Sequence, residues 1–138
     1  MKKTRKIISL LLSILMIITT ISALSITSAA AYYESEPNDS ISTADSISTN
    51  STVYGVSNTV GDDDCYKFSL SSQGYITITM NHAQLDSAKY DTNYWRVYLY
   101  DTNGDQMFDW EFDARYSSNS TEKIGLPAGT YYLDIDYG

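Results

Sequence analysis

The chain has 138 residues, a formal net charge of −8, thirteen tyrosines, one histidine and one cysteine. An acidic chain of this kind is a poor partner for nucleic acid or anionic membrane surfaces and a good one for cations. Cys65 stands alone and cannot close an intramolecular disulfide, so stability has to come from packing, with a bound metal as an optional addition.

The N-terminus sets the compartment. Lys2, Lys3, Arg5 and Lys6 precede a run over residues 7–26 dominated by Ile, Leu and Met, and Ala29, Ala30 and Ala31 supply small residues at a cut. The pattern is that of a secretory signal peptide over residues 1–31, cleaved after Ala31. An uncleaved signal anchor is the competing reading, because the run is almost long enough to span a bilayer. The Ser and Thr residues over 22–28 favour removal. The remainder, residues 32–138, suits one domain with one core. It carries five basic residues against seventeen acidic ones, a formal charge of −12. It is expected outside the cell or at its surface, as a monomer, with no membrane contact once the leader is gone.

After the leader come strand signals and no long helical period. A strand is predicted near residues 52–56. Tyr66, Phe68 and Leu70 alternate with Cys65, Lys67 and Ser69; Ile76, Ile78 and Met80 alternate with Thr77 and Thr79 after a turn at Gln73-Gly74. Trp95, Val97 and Leu99 form a third alternation with Tyr94, Arg96, Tyr98 and Tyr100 opposite, and Phe108, Trp110 and Phe112 a fourth. The turn between these two is Asp101-Thr-Asn-Gly-Asp105, where Asn103-Gly104 supplies positive φ. Residues 124–129 read as a turn and residues 130–137 as a closing strand. Residues 40–46 make one helical turn at most, capped by Asp39 or Ser40. Six or more short strands with regular turns predict an all-β antiparallel sandwich or barrel.

Catalytic signals are weak. His82 has no partner motif and is expected at a strand end facing solvent, and Cys65 is expected to be an ordinary strand thiol. The Asp101 loop opens like a calcium-binding helix–loop–helix segment, but its glycine sits one place early and Phe112 stands where a bidentate glutamate is required, which leaves a hairpin turn. The row Tyr94, Arg96, Tyr98, Tyr100 offers flat aromatic rings with hydroxyls, suited to sugar rings or an extended peptide. Cross-strand packing of good strand formers is the favoured explanation of the same row, and the inward and outward faces could be exchanged.

The segment ESEPNDS over residues 34–40 gathers oxygen donors. Glu36 precedes Pro37 and is biased towards extended backbone, so Glu34, Glu36 and Asn38 would project to one side. With Asp62-Asp63-Asp64 they could enclose a calcium ion, which takes six to eight hard oxygen ligands. A solvated loop with a helix cap is the alternative.

Five stretches in order resemble the bacterial pre-peptidase C-terminal domain: Glu34-Ser-Glu-Pro-Asn-Asp-Ser, Thr43-Ala44-Asp45, Gly61-Asp-Asp-Asp-Cys-Tyr-Lys-Phe68, Val97-Tyr-Leu-Tyr-Asp-Thr-Asn-Gly104 and Leu126-Pro-Ala-Gly-Thr-Tyr-Tyr-Leu133. The resemblance implies an antiparallel jelly-roll-like β-sandwich, appended to secreted peptidases and other exported enzymes and related to the calcium-binding collagen-binding modules of clostridial collagenases. By that likeness Glu34, Glu36, Asn38 and Asp39 match the calcium-binding segment position by position, and Asp62 and Asp64 are the nearest matches to its distant ligands. Cys65 stands where those relatives favour an aromatic residue. The implied role is non-catalytic: an accessory or targeting module that assists an exported enzyme or binds an extracellular polymer, a collagen-like protein or a polysaccharide. The alternative is the front end of a larger secreted peptidase or other hydrolase whose catalytic domain lies beyond residue 138.

Overall fold

The computed structural model describes residues 29–56, 62–84 and 94–137, without the side chains of Tyr94 and Tyr137. The expected leader lies outside these residues apart from its last three. The described residues are all-β, without a helix. Eleven short strands run in chain order: β1 (Ala31–Tyr33), β2 (Asp45–Ser46), β3 (Thr52–Tyr54), β4 (Asp64–Leu70), β5 (Gly74–Ile76), β6 (Thr79–Asn81), β7 (Tyr94–Tyr100), β8 (Gln106–Asp113), β9 (Ser118–Ser120), β10 (Ile124–Leu126) and β11 (Gly129–Tyr137).

The long strands assemble into one five-stranded sheet of order β2-β4-β11-β7-β8. Its centre is antiparallel, with Leu133 opposite both Tyr66 and Leu99. Two pairings depart from the antiparallel expectation: β2 runs parallel to β4 and β1 parallel to β3. Parallel neighbours need a long connection rather than a tight turn, and β2 and β4 are separated by residues 47–63 of the chain. The β7–β8 hairpin forms as predicted. Asp101 accepts bonds from the backbone N–H of Asn103 and Asp105, and Gly104 takes the positive φ, 82°, that a side chain would resist. A bulge follows, because Leu99 pairs with Phe108 while Tyr100 pairs with Gln106, leaving Met107 as the extra residue.

The core lies on one face of this sheet. Phe68, Leu99 and Tyr131 pack with Ile124 and Leu126 of β10, and Ile76, Ile78, Trp110 and Leu133 fill in around them. Period-2 alternation sorts the strands cleanly: Val97 and Leu99 are fully buried while Arg96, Tyr98 and Tyr100 point the other way. Phe68 and Tyr131 stack with centroids 5.6 Å apart, and the Tyr131 hydroxyl donates to the Pro127 carbonyl, tying the turn before β11 to the core.

Several local expectations need correction. The strand predicted through Ile76, Ile78 and Met80 is broken into β5 and β6. Buried Thr121 interrupts the ladder there, its Oγ1 accepting from Ile78 N–H while its own N–H donates to the Ile78 carbonyl. Residues 124–129 are not all turn, since Ile124–Leu126 pairs with β5. Residues 40–43 form a turn and not a helical one; Ser40, one of the two expected caps, holds it, and the chain then enters β2. His82 is half-buried, not solvent-facing: its ring lies 4.1 Å from the Trp95 ring and its Nε2 accepts from the Asn119 amide.

Candidate metal centre

The acidic segment leaves β1 at Tyr33 and turns back towards the start of β4. Each end is held by hydrogen bonds that position its carboxylates. Ser35 N–H donates to Asp45 of β2 at 2.7 Å, and the Asn38 carbonyl accepts from Cys65 N–H of β4 at 3.0 Å. Glu34 is aimed by two donors, the backbone N–H of Val56 and the Tyr66 hydroxyl. Gly55 lets the chain pass, because a Cβ there would collide with the Glu34 carboxylate. The Glu36 carboxylate accepts from Asn38 N–H at 3.2 Å, and the Glu36–Pro37 peptide is cis.

Two sets of carboxylates result. Oxygens of Glu34, Glu36 and Asp64 lie within 4.8 Å of one another, and so do those of Glu36, Asp39 and Asp62, with Glu36 common to both. Asp63 belongs to neither set. Asn38 is completely buried, and both polar atoms of its amide lack any hydrogen-bond partner. So does Oδ1 of Asp64, which is only 6 % exposed. Buried polar groups are nearly always satisfied, so the Asn38 amide and the Oδ1 atom of Asp64 are exceptions, although Asp64 also shares a side-chain hydrogen bond with Glu34.

The electrostatics point the same way. Like charges 4.8 Å apart repel by about 3.5 kcal/mol at an effective dielectric of about 20, a figure that solvent screening reduces at exposed Glu36 and Asp39 and that weighs most on buried Asp64. Burial, then the hydrogen bond and charge of Glu34, then Asp62 and Glu36, push the Asp64 carboxyl up to about 7. The Tyr66 hydroxyl is also raised, by burial and then by Asp64 and Glu34, and so remains a donor to Glu34. The donor set is all hard oxygen, which fits calcium and suits magnesium less well.

The second group of candidate residues lies on the outer face of the five-stranded sheet, away from the core. Tyr98 and Tyr100 place their ring centroids 6.2 Å apart, and Arg96 pairs with Glu111 at 3.6 Å. The Tyr94 side chain lies outside the described residues. Tyr132, which the alternation could have revealed, faces Tyr100 across the β11–β7 pair and carries Lys67 Nζ 5.7 Å over its ring.

Comparison with models of protein families matches residues 62–136 to the bacterial pre-peptidase C-terminal domain. This is more than half of the chain. The chain belongs to the bacterial pre-peptidase C-terminal domain family. No curated protein matches it. Members of the family are small non-catalytic modules, often at the C-terminus of secreted proteases. The matched span of the pre-peptidase C-terminal domain contains β4 to β10 and all but the last residue of β11, and with them Asp62 and Asp64. Glu34, Glu36, Asn38 and Asp39 lie ahead of it, so the carboxylates meet where the leading segment joins the family's own sheet. Cys65 is 2 % exposed and its thiol is pushed up to about 12, by burial first and then by Asp134 and Asp63, which deprives it of nucleophilic character.

Proposed function

We propose that the chain is a secreted, non-catalytic accessory or targeting module of jelly-roll-like form, freed of residues 1–31, in which calcium fastens the acidic segment to the start of β4. Buried Asn38, whose amide has no hydrogen-bond partner and which lies in the segment that carries Glu34, Glu36 and Asp39, is the observation that carries this reading. Glu34, Glu36, Asn38, Asp39, Asp62 and Asp64 would hold the ion. Bound calcium supplies the positive charge that offsets their repulsion. The chain does the rest: Val56 N–H and the Tyr66 hydroxyl orient Glu34, Asn38 N–H orients Glu36, and the Asn38–Cys65 backbone bond brings the two halves together. In this state the module assists an exported enzyme or binds an extracellular polymer, a collagen-like protein or a polysaccharide, through the face bearing Arg96, Tyr98 and Tyr100 and the β7 position of Tyr94.

Thermal melting of residues 32–138, with calcium against the metal-stripped protein, tests the proposal. A ligand that binds the native state alone adds about 2.7 kcal/mol at one hundred times its dissociation constant. The wild type is expected to gain that order of stability and Glu36→Ala to lose most of the gain, because Glu36 is shared by both carboxylate sets. A wild-type midpoint indifferent to calcium refutes the site.

A further inference from the structure

We propose that the outer face of the five-stranded sheet docks an extended basic polypeptide segment, with alternate Lys or Arg side chains laid across Tyr98, Tyr100 and Tyr132 and paired with Asp134 and Asp136. The proposal rests on reading the chain as a binding module and names the partner of that face; it is independent of calcium.

Four observations converge on it. Every residue of the core cluster lies on the opposite side of the sheet, while Tyr98, Tyr100, Tyr132 and Asp134 remain half-exposed on this one. The pairing registers bring these groups into a block: Tyr98 opposes Asp134, Tyr100 opposes Tyr132, and Arg96 opposes Asp136. Charge on the face is unbalanced. On β8 and β11 it carries Asp109, Glu111, Asp134 and Asp136, against Lys67 and Arg96, and Arg96 already engages Glu111. Asp134 presents only part of its carboxylate at this surface, since one oxygen is covered and the group hydrogen-bonds to the Cys65 thiol, and its carboxyl is raised to about 6 by burial and then by Asp63 and Asp136.

The rings are suited to the same visitor. Lys67 above Tyr132 shows that an aromatic ring of this face accepts an ammonium group. Tyr98 and Tyr100 repeat the motif 6.2 Å apart, close to the ~6.6 Å between alternate side chains of an extended chain. A neutral sugar could stack on the rings but would desolvate Asp134 and Asp136 without bringing a positive charge to them, which is costly. An anionic polysaccharide would be repelled.

Fluorescence anisotropy on residues 32–138 tests this with three labelled probes: an alternating Lys-Ser octapeptide, a peptide of the same composition with its lysines in one block, and an alternating Glu-Ser octapeptide. Unlabelled neutral oligosaccharide serves as competitor. The alternating basic peptide is expected to bind best, and the acidic one not at all. Tyr98→Ala and Asp134→Asn should each weaken binding about tenfold, while Tyr75→Ala, 78 % exposed in the other layer, leaves it unchanged. Asp134→Asn is nearly isosteric, and its melt verifies the fold. Equal binding of the two basic peptides, indifference to both face variants, or displacement by the neutral sugar overturns the proposal. Running each arm with calcium and with metal-stripped protein separates the two readings. Peptide binding without a calcium-dependent melt removes the ion and keeps the face; the reverse result removes the face and keeps the ion.

Discussion

Replacing Asp64 with Asn should move the metal-free and the calcium-loaded protein in opposite directions. In the metal-free protein the Asp64 carboxyl sits at about 7 instead of its ordinary 3.8. About three pH units at ~1.36 kcal/mol each set a ceiling of about 4 kcal/mol on what its ionisation costs the fold. The folded state keeps a proton that the unfolded state has released. The penalty is therefore absent below pH 3.8, grows through the window up to about 7, and is complete above it. Asp63 and Asp134 are raised as well and act in the same direction. The lowered carboxyls, Asp101 and Asp113, exert their opposite effect only below 3.8. The metal-stripped wild type should thus melt lower at pH 8 than at pH 5.

Asp64→Asn removes the charge and gives the Glu34 carboxylate an amide donor in place of a like charge. At pH 8 and without metal the variant should melt above the wild type, and each ~1 kcal/mol recovered is worth about 4–8 °C in a domain of this size. With calcium at about ten thousand times the wild-type dissociation constant the order inverts, because the wild type then gains about 5 kcal/mol, more than the ~4 kcal/mol ceiling on the variant's advantage, and the variant does not. Circular dichroism melts at pH 5 and pH 8, with and without calcium, read all four states. A variant that melts below the metal-stripped wild type at both pH values would refute the reasoning, since Asp64 would then be a structural hydrogen-bond acceptor rather than a frustrated charge.

Other expectations follow from single contacts. Leu99→Ala, at a fully buried position in the middle of the sheet, should cost about 3 kcal/mol in urea unfolding, with the calcium gain retained. Gly55→Ala forces the Glu34 carboxylate aside, so calorimetric titration should show weaker calcium binding, whereas substitution at Gly74, with open space around it, should not. Cys65 should resist a thiol reagent at pH 8 in the native protein and react at once in denaturant. Rapid native labelling would mean that β4 opens at its start.

The sequence carried the long strands well because their alternation is clean and their inner residues are large: Tyr66 and Phe68, Val97 and Leu99, Trp110 and Phe112 each point where period 2 sends them. The hairpin at Gly104 was legible for the same local reason, since the positive φ is written in the residue type. What escaped was set by distant partners. No local signal tells that Thr121 will break the β5–β6 ladder, or that residues 31–33 and 45–46 find parallel neighbours across a crossover.

The acidic centre divides along the same line. Its carboxylates could be named from residue type and likeness to a family, but what gives them shape could not. Glu34 is oriented by Val56 and Tyr66, which are twenty-two and thirty-two residues away, and the bare backbone of Gly55 makes room for it. Tyr66 belongs to the core alternation and to the acidic centre together, its ring packed and its hydroxyl turned to Glu34. That double role makes the fold sensitive to the site: relieving the charge around Glu34 and Asp64 steadies the first strand of the family's sheet. An ion bound there would act on the same strand whose outward Lys67 borders the aromatic face. The two candidate sites thus share β4, and the experiments that separate them have to be read together.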